Sequence, residues 1–150
     1  DPCVVLFLGI HDNAISTANW TSTQLTELDI SSTELTEQGL LDLFSKISKL
    51  TYLAVPYCDG FTDKVLELII DRGVLNGCQA LDLSNTVNLN VDIVHRLLTS
   101  TPSVTYRLEA LSYTGQTALS EQFWIESIRF LRRIKYGFFV CNFSSFYLME

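Results

Sequence analysis

Basic residues are scarce in this chain. Ten lysines and arginines face seventeen aspartates and glutamates over 150 residues, giving a formal net charge of −7 at pH 7. That field opposes nucleic-acid backbones and anionic lipid, so neither nucleic acid nor membrane is expected as a partner, and a basic or mixed protein surface is favoured. Histidine is scarcer still: His11 and His95 are the only two, too far apart for a helical metal-binding pair. A Gly-rich phosphate loop and a nucleophile elbow are both missing, so neither catalysis nor a cofactor is expected. No run approaches the ~20 apolar residues that cross a bilayer. Val4 to Ile10 is too short for that and lacks the basic leading region of a secretory signal. Prolines number only three, while 47% of residues are hydrophobic and 11% aromatic, which predicts one domain with a continuous core burying roughly 70% of its unfolded surface.

Closely spaced cysteine pairs are also absent. Cys3, Cys58, Cys78 and Cys141 are too dispersed for a zinc site. A chain of this size needs no disulfide staples either, so a reducing compartment, cytoplasmic or nuclear, is expected. Asn19-Trp-Thr21 and Asn142-Phe-Ser144 match the glycosylation triplet, but without a secretory signal they carry little weight.

What the chain does have is internal repetition. Leu28-Asp-Ile-Ser-Ser-Thr33, Leu53-Ala-Val-Pro-Tyr-Cys58 and Leu81-Asp-Leu-Ser-Asn-Thr86 share one pattern, each with an apolar residue three positions earlier (Leu25, Leu50, Cys78). Successive leucines lie 25 and 28 residues apart, the period of leucine-rich repeats, in which a strand and a helix form one unit. Cys58 and Cys78 occupy repeat positions that want a small buried group, so both read as structural. Each strand leads into a cap-like triplet, Leu35-Thr36-Glu37, Phe61-Thr62-Asp63 or Leu89-Asn90-Val91, whose polar side chain can accept an unpaired amide of the first helical turn. Apolar residues at three-to-four spacing follow: Leu40, Leu43, Phe44 and Ile47; then Val65 or Leu66 with Ile69 and Ile70; then Val94, Leu97 and Leu98. Gly73 and Pro102 mark helix ends.

These features predict an α/β leucine-rich repeat solenoid of about four to five repeats, a right-handed β-α superhelix, over residues 1–135. A further N-terminal unit is expected, with Val4 to Leu8 as strand and Asn13-Ala14-Ile15 closing its turn. The unit after Val104 has an open register, because both Leu108 and Leu111 offer themselves as the strand leucine. If Glu109 takes the place of Leu81 the leucine ladder is broken there; if Leu108 does, the turn is longer. A long amphipathic helix is expected from near Ser120 to Gly137, with Trp124, Ile128, Leu131 and Ile134 on one side and the basic cluster Arg129 to Lys135 on its outer flank. The aromatic tail 136–150 does not fit the repeat and is expected to be a terminal strand or cap, with a divergent end as the alternative. The chain opens without methionine inside a repeat strand, so a fragment lacking its N-terminal cap is expected.

Cys58-Asp-Gly-Phe-Thr-Asp63-Lys-Val-Leu66, followed by Cys78-Gln-Ala-Leu81-Asp-Leu83, resembles the cysteine-containing type of leucine-rich repeat. Leu28 to Leu40 is similar to the same pattern with threonine in place of cysteine. The resemblance covers about residues 25–100. It implies the substrate-recognition part of F-box or Zyg-11-type receptors of cullin-based ubiquitin ligases, with an adaptor or cullin reached through a segment not in this chain. The alternative is a regulatory repeat protein of the ribonuclease-inhibitor or GTPase-activating type.

Residues alternating with the strand leucines face the other side of the sheet. They are Glu27, Asp29 and Ser31; Tyr52, Ala54 and Pro56; and Ala80, Asp82 and Ser84. This set predicts a concave, acidic face with one tyrosine, suited to a protein partner. Asp29 and Asp82 lie two strands apart, roughly 10 Å at a strand spacing of about 5 Å, too far for a glycosidase carboxylate pair.

Overall fold

The computed structural model describes residues 3–6, 25–115, 120–131, 133–141 and 144–148. Strands and helices alternate along the chain: β1 (Cys3–Leu6), β2 (Leu25–Asp29), α1 (Glu37–Lys46), β3 (Tyr52–Ala54), α2 (Asp63–Asp71), β4 (Ala80–Asp82), α3 (Val91–Ser100), a short α4 (Pro102–Thr105), β5 (Ala110–Tyr113), α5 (Glu121–Ile128), β6 (Tyr136–Cys141) and β7 (Ser144–Leu148). The strands form one sheet in chain order. All pairings from β1 to β6 are parallel, and β7 closes the sheet antiparallel to β6.

The leucine spacing sets the register. Leu28 pairs with Leu53, Leu53 with Leu81 and Leu81 with Leu111, and all four are buried. Each contributes about 1.5–3 kcal/mol by leaving water, and a one-residue slip would turn the whole row to the opposite face. That cost fixes the register where the local sequence alone is ambiguous. Leu111 is therefore the leucine of β5, and Leu108 fills the earlier apolar slot held by Leu25, Leu50 and Cys78. Neither Glu109 nor Leu108 takes the place of Leu81.

Helices α1 to α3 bury Leu40, Leu43 and Phe44, then Val65, Leu66 and Ile69, then Ile93, Val94, Leu97 and Leu98; of the expected stripe Ile70 is only partly buried, while Ile93 is an addition to it. Phe44 meets Phe61 edge to face at 6.2 Å between ring centroids, an arrangement that aligns ring edge with ring face. Thr36 and Asn90 act as expected, accepting from the amides of Gly39 at 3.1 Å and Asp92 at 3.0 Å. Thr62 does not cap with its side chain. Its hydroxyl donates instead to Glu37 Oε2, 2.6 Å away in the preceding helix. Lys64 reaches the same carboxylate at 3.1 Å, so this position ties neighbouring helices together. Gly73 follows α2 with φ +66°. Pro102 opens α4, where its missing amide hydrogen costs nothing.

Two expectations change at the C-terminal end. The helix starting at Ser120 stops at Ile128, and Gly137 lies in β6. Among its described side chains Phe123 and Ser127 are buried, with Leu131 just beyond the end, whereas Ile128 is exposed. The polar Ser127 occupies the inner face because its hydroxyl donates to the Phe123 carbonyl. The basic cluster consequently lies past the helix rather than on its flank, with Lys135 paired to Glu109 at 3.2 Å. The tail supplies β6 and β7. At the other end β1 covers Cys3–Leu6. The expected turn at 13–15 lies outside the described residues, as do the side chain of Trp124, the triplet 19–21 and both Asn142 and Phe143 of the second triplet.

Candidate functional site: the outward face of the sheet

Residues flanking the buried leucines form two rows on the other side of the sheet. Glu27, Tyr52, Ala80 and Ala110 make one row, and Asp29, Ala54, Asp82 and Ser112 the next. Ser31, Pro56 and Ser84 follow two residues further along. The rows bring the predicted set together, with different roles for its members.

Tyr52 is the centre of this face. Loss of water around the half-buried ring raises its phenol above the ordinary value of 10.0, and the charges of Asp29, Asp82 and Glu27 raise it further. The hydroxyl therefore stays protonated at neutral pH, as a donor amid three carboxylates. Beside it lies a hollow of about 230 Å³, walled by Tyr52, Asp82 and Ser112 with Ala80 and Ala110 between them. The two alanines leave this space because a methyl group reaches so little beyond the backbone.

The two aspartates also hold the backbone. Asp29 Oδ1 accepts from the Ser31 amide at 2.9 Å and from the Ser31 hydroxyl, and Asp82 Oδ1 accepts from the Ser84 amide at 2.9 Å. These bonds shape the exit from each strand. Ser84 is turned into the structure, its hydroxyl 2.8 Å from that of Ser112 and accepting from the Thr114 amide at 3.2 Å. Ala54 is covered as well, at 3% exposure. The side chains left accessible on this face are thus chiefly those of Glu27, Tyr52, Ala80 and Asp82, with Asp29, Ser31 and Pro56 along the margin.

Ala110 and Ser112 belong to the same face but are absent from the sequence-based set, since the last register was open. The signal was present: Leu108 and Leu111 repeat the three-residue spacing of Leu25 with Leu28 and of Leu50 with Leu53.

Cys58 and Cys78 are structural in their surroundings. Cys58 Sγ lies 3.6 Å from the Thr33 hydroxyl of the neighbouring turn. Thr33 and Thr86 donate to the carbonyls of Ile30 and Leu83 in the same slot. Burial raises both thiols, that of Cys78 to about 12, which leaves essentially no thiolate at neutral pH. His95 is half-buried in α3, 2.9 Å from Glu126 of α5 and tilted against Phe123 at 5.4 Å. Among the described residues no group of three or more His, Cys, Asp or Glu could hold a metal ion, and no helix is long and apolar enough to cross a membrane.

No protein-family model matches the chain, and no curated protein is similar to it.

Proposed function

We propose that the chain is a leucine-rich repeat solenoid of about four to five repeats, a non-enzymatic module that binds a protein partner across the outward face of its sheet. The observation that carries this reading is Tyr52, half-exposed among Glu27, Asp29 and Asp82 beside an open hollow. An aromatic ring supplies large contact area at little conformational cost, and tyrosine is enriched among residues that dominate interface energy. The carboxylates and the net charge of −7 direct the face toward a basic partner. Parallel strands of equal register leave a continuous surface, as in extended solenoid binding faces.

Within that reading we assign the module to the substrate-recognition part of a cullin-type ubiquitin-ligase receptor. The assignment rests on the resemblance of Cys58 to Leu66 and Cys78 to Leu83 to cysteine-containing repeats. The buried free thiols of Cys58 and Cys78 suit a reducing compartment, the cytoplasm or nucleus. The test is affinity capture with the complete gene product as bait. Co-recovery of a cullin or its adaptor supports the assignment. Recovery of neither removes the ligase part, and direct inhibition or activation of an enzyme by the purified chain would then favour a regulatory repeat protein.

A further inference from the structure

Four residues at the strand-to-helix turns share a left-handed backbone: Ser32 (φ 56°), Tyr57 (φ 57°), Asn85 (φ 54°) and Gly115 (φ 79°). They lie 25, 28 and 30 residues apart, the steps that separate the strand leucines. Glycine and asparagine tolerate this region, and serine is small, but an aromatic side chain crowds the following carbonyl there. Tyr57 is the one aromatic among the four, and it is 62% exposed. Core packing therefore does not compensate the strain. A strained, solvent-facing aromatic is the kind of outlier from which a functional role can be inferred.

Its surroundings indicate what it meets. Tyr57 borders a hollow of about 500 Å³ whose other walls include Glu34, Leu35, Thr36 and Asp59. Both charged residues of that lining are carboxylates, and no lysine, arginine or histidine lines it. A tyrosine and two acids lining one hollow suit a cation, which gains from the opposite charge and from any ring face it can lie over.

We propose that Tyr57 anchors a second contact region, at the turn edge of the sheet, that takes an arginine or lysine side chain from a peptide segment of the protein partner. The inference rests on the reading of the chain as a protein-binding module, and extends the interface from the sheet face to the turns.

The test uses a displayed library of random 12-residue peptides selected on the purified chain, with the affinities of the selected peptides measured by calorimetry. The expected outcome is enrichment of arginine and lysine. For the tightest peptides, Tyr57→Asn should weaken binding about tenfold or more, in the range for loss of an interface anchor, while Tyr57→Phe, which keeps the ring, retains most of the affinity. Tyr57→Asn should also raise Tm by about 2–4 °C, because asparagine relieves the left-handed strain in a domain of this size. Unchanged affinity in Tyr57→Asn, a fall in its Tm, selected peptides without basic residues, or no binders at all would each overturn the inference. Tyr52→Ala separates the two readings. Peptides lost with Tyr52→Ala but kept with Tyr57→Asn uphold the sheet face alone, and the reverse pattern upholds the turn edge alone.

Discussion

Replacing Gly60 by alanine probes the contact between successive turns. A Cβ at Gly60 would sit 2.1 Å from the Leu35 carbonyl oxygen, 2.8 Å from Thr36 C and 3.0 Å from Glu37 N. All three are backbone atoms at the start of α1, one unit earlier, so no side chain can rotate away. The two turns must separate by more than about 1 Å to reach ordinary contact, and that shift disturbs the Thr36 cap. Overpacking against fixed neighbours costs about 1–3 kcal/mol, occasionally more. The φ of Gly60 lies outside the left-handed region, so the substitution adds no dihedral penalty and recovers about 0.4–1 kcal/mol from the stiffer unfolded chain. Because all three contacts are to fixed backbone, the cost lies at the upper end of that range, and the net expectation is a loss of about 2 kcal/mol. Gly77→Ala is the control: its Cβ meets nothing nearer than 3.6 Å, but its φ is +80°, so the expected loss is about 1–2 kcal/mol from backbone strain alone. Urea unfolding followed by far-UV circular dichroism gives both values from the midpoint shift at constant slope. A Gly60→Ala protein within about 0.5 kcal/mol of the unmodified chain, well below the overpacking range, would refute close stacking of the turns.

Two further outcomes follow from local chemistry. Native labelling with iodoacetamide at pH 8, mapped by peptide mass, should leave Cys58 and Cys78 unmodified while urea exposes both, because burial raises both thiols, that of Cys78 to about 12; rapid native labelling of either contradicts their packing. The bond from Thr62 and then that from Lys64 hold Glu37 below its ordinary value of 4.5. Its contribution to stability is therefore present above that value and lost as pH falls through the lowered one. Glu37→Gln should flatten the acid limb of the stability curve below pH 4.5, and an unaltered limb would show that the Thr62–Glu37 link contributes nothing.

The parts of the fold that sequence made legible are those where burial and period agree. The leucines at 28, 53 and 81 and the stripes of α1 to α3 are read correctly because each is one face of a regular element, and a single slip would expose it. The Thr62 cap was not legible. A threonine before an acidic first turn reads as a cap, yet its hydroxyl is turned to donate to the Glu37 carboxylate of a different unit, and its oxygen accepts from no first-turn amide. The end of the last helix was missed for a related reason. Apolar residues at 128, 131 and 134 keep helical spacing, but Leu131 and Ile134 reach the core from an irregular segment and Ile128 does not reach it. On the candidate face, parity along each strand places Glu27, Tyr52, Ala80 and Asp82 correctly. Parity cannot tell that Ser84 is consumed by Ser112 or that Ala54 is covered, because both depend on neighbouring strands.

Protein binding by the outward sheet face, as proposed above, is tested most directly with variants of that face. Asp29 and Asp82 also hold the turns, so a clean variant changes Glu27 and Tyr52 instead. Quantitative affinity capture should compare the unmodified complete protein with Glu27→Lys/Tyr52→Ala and with Asp71→Lys, a charge reversal on the exposed end of α2. The expected result is a protein recovered with the unmodified and Asp71→Lys baits and depleted about tenfold or more with Glu27→Lys/Tyr52→Ala, all three baits having the same Tm. Equal recovery of every interacting protein by the three baits would contradict it.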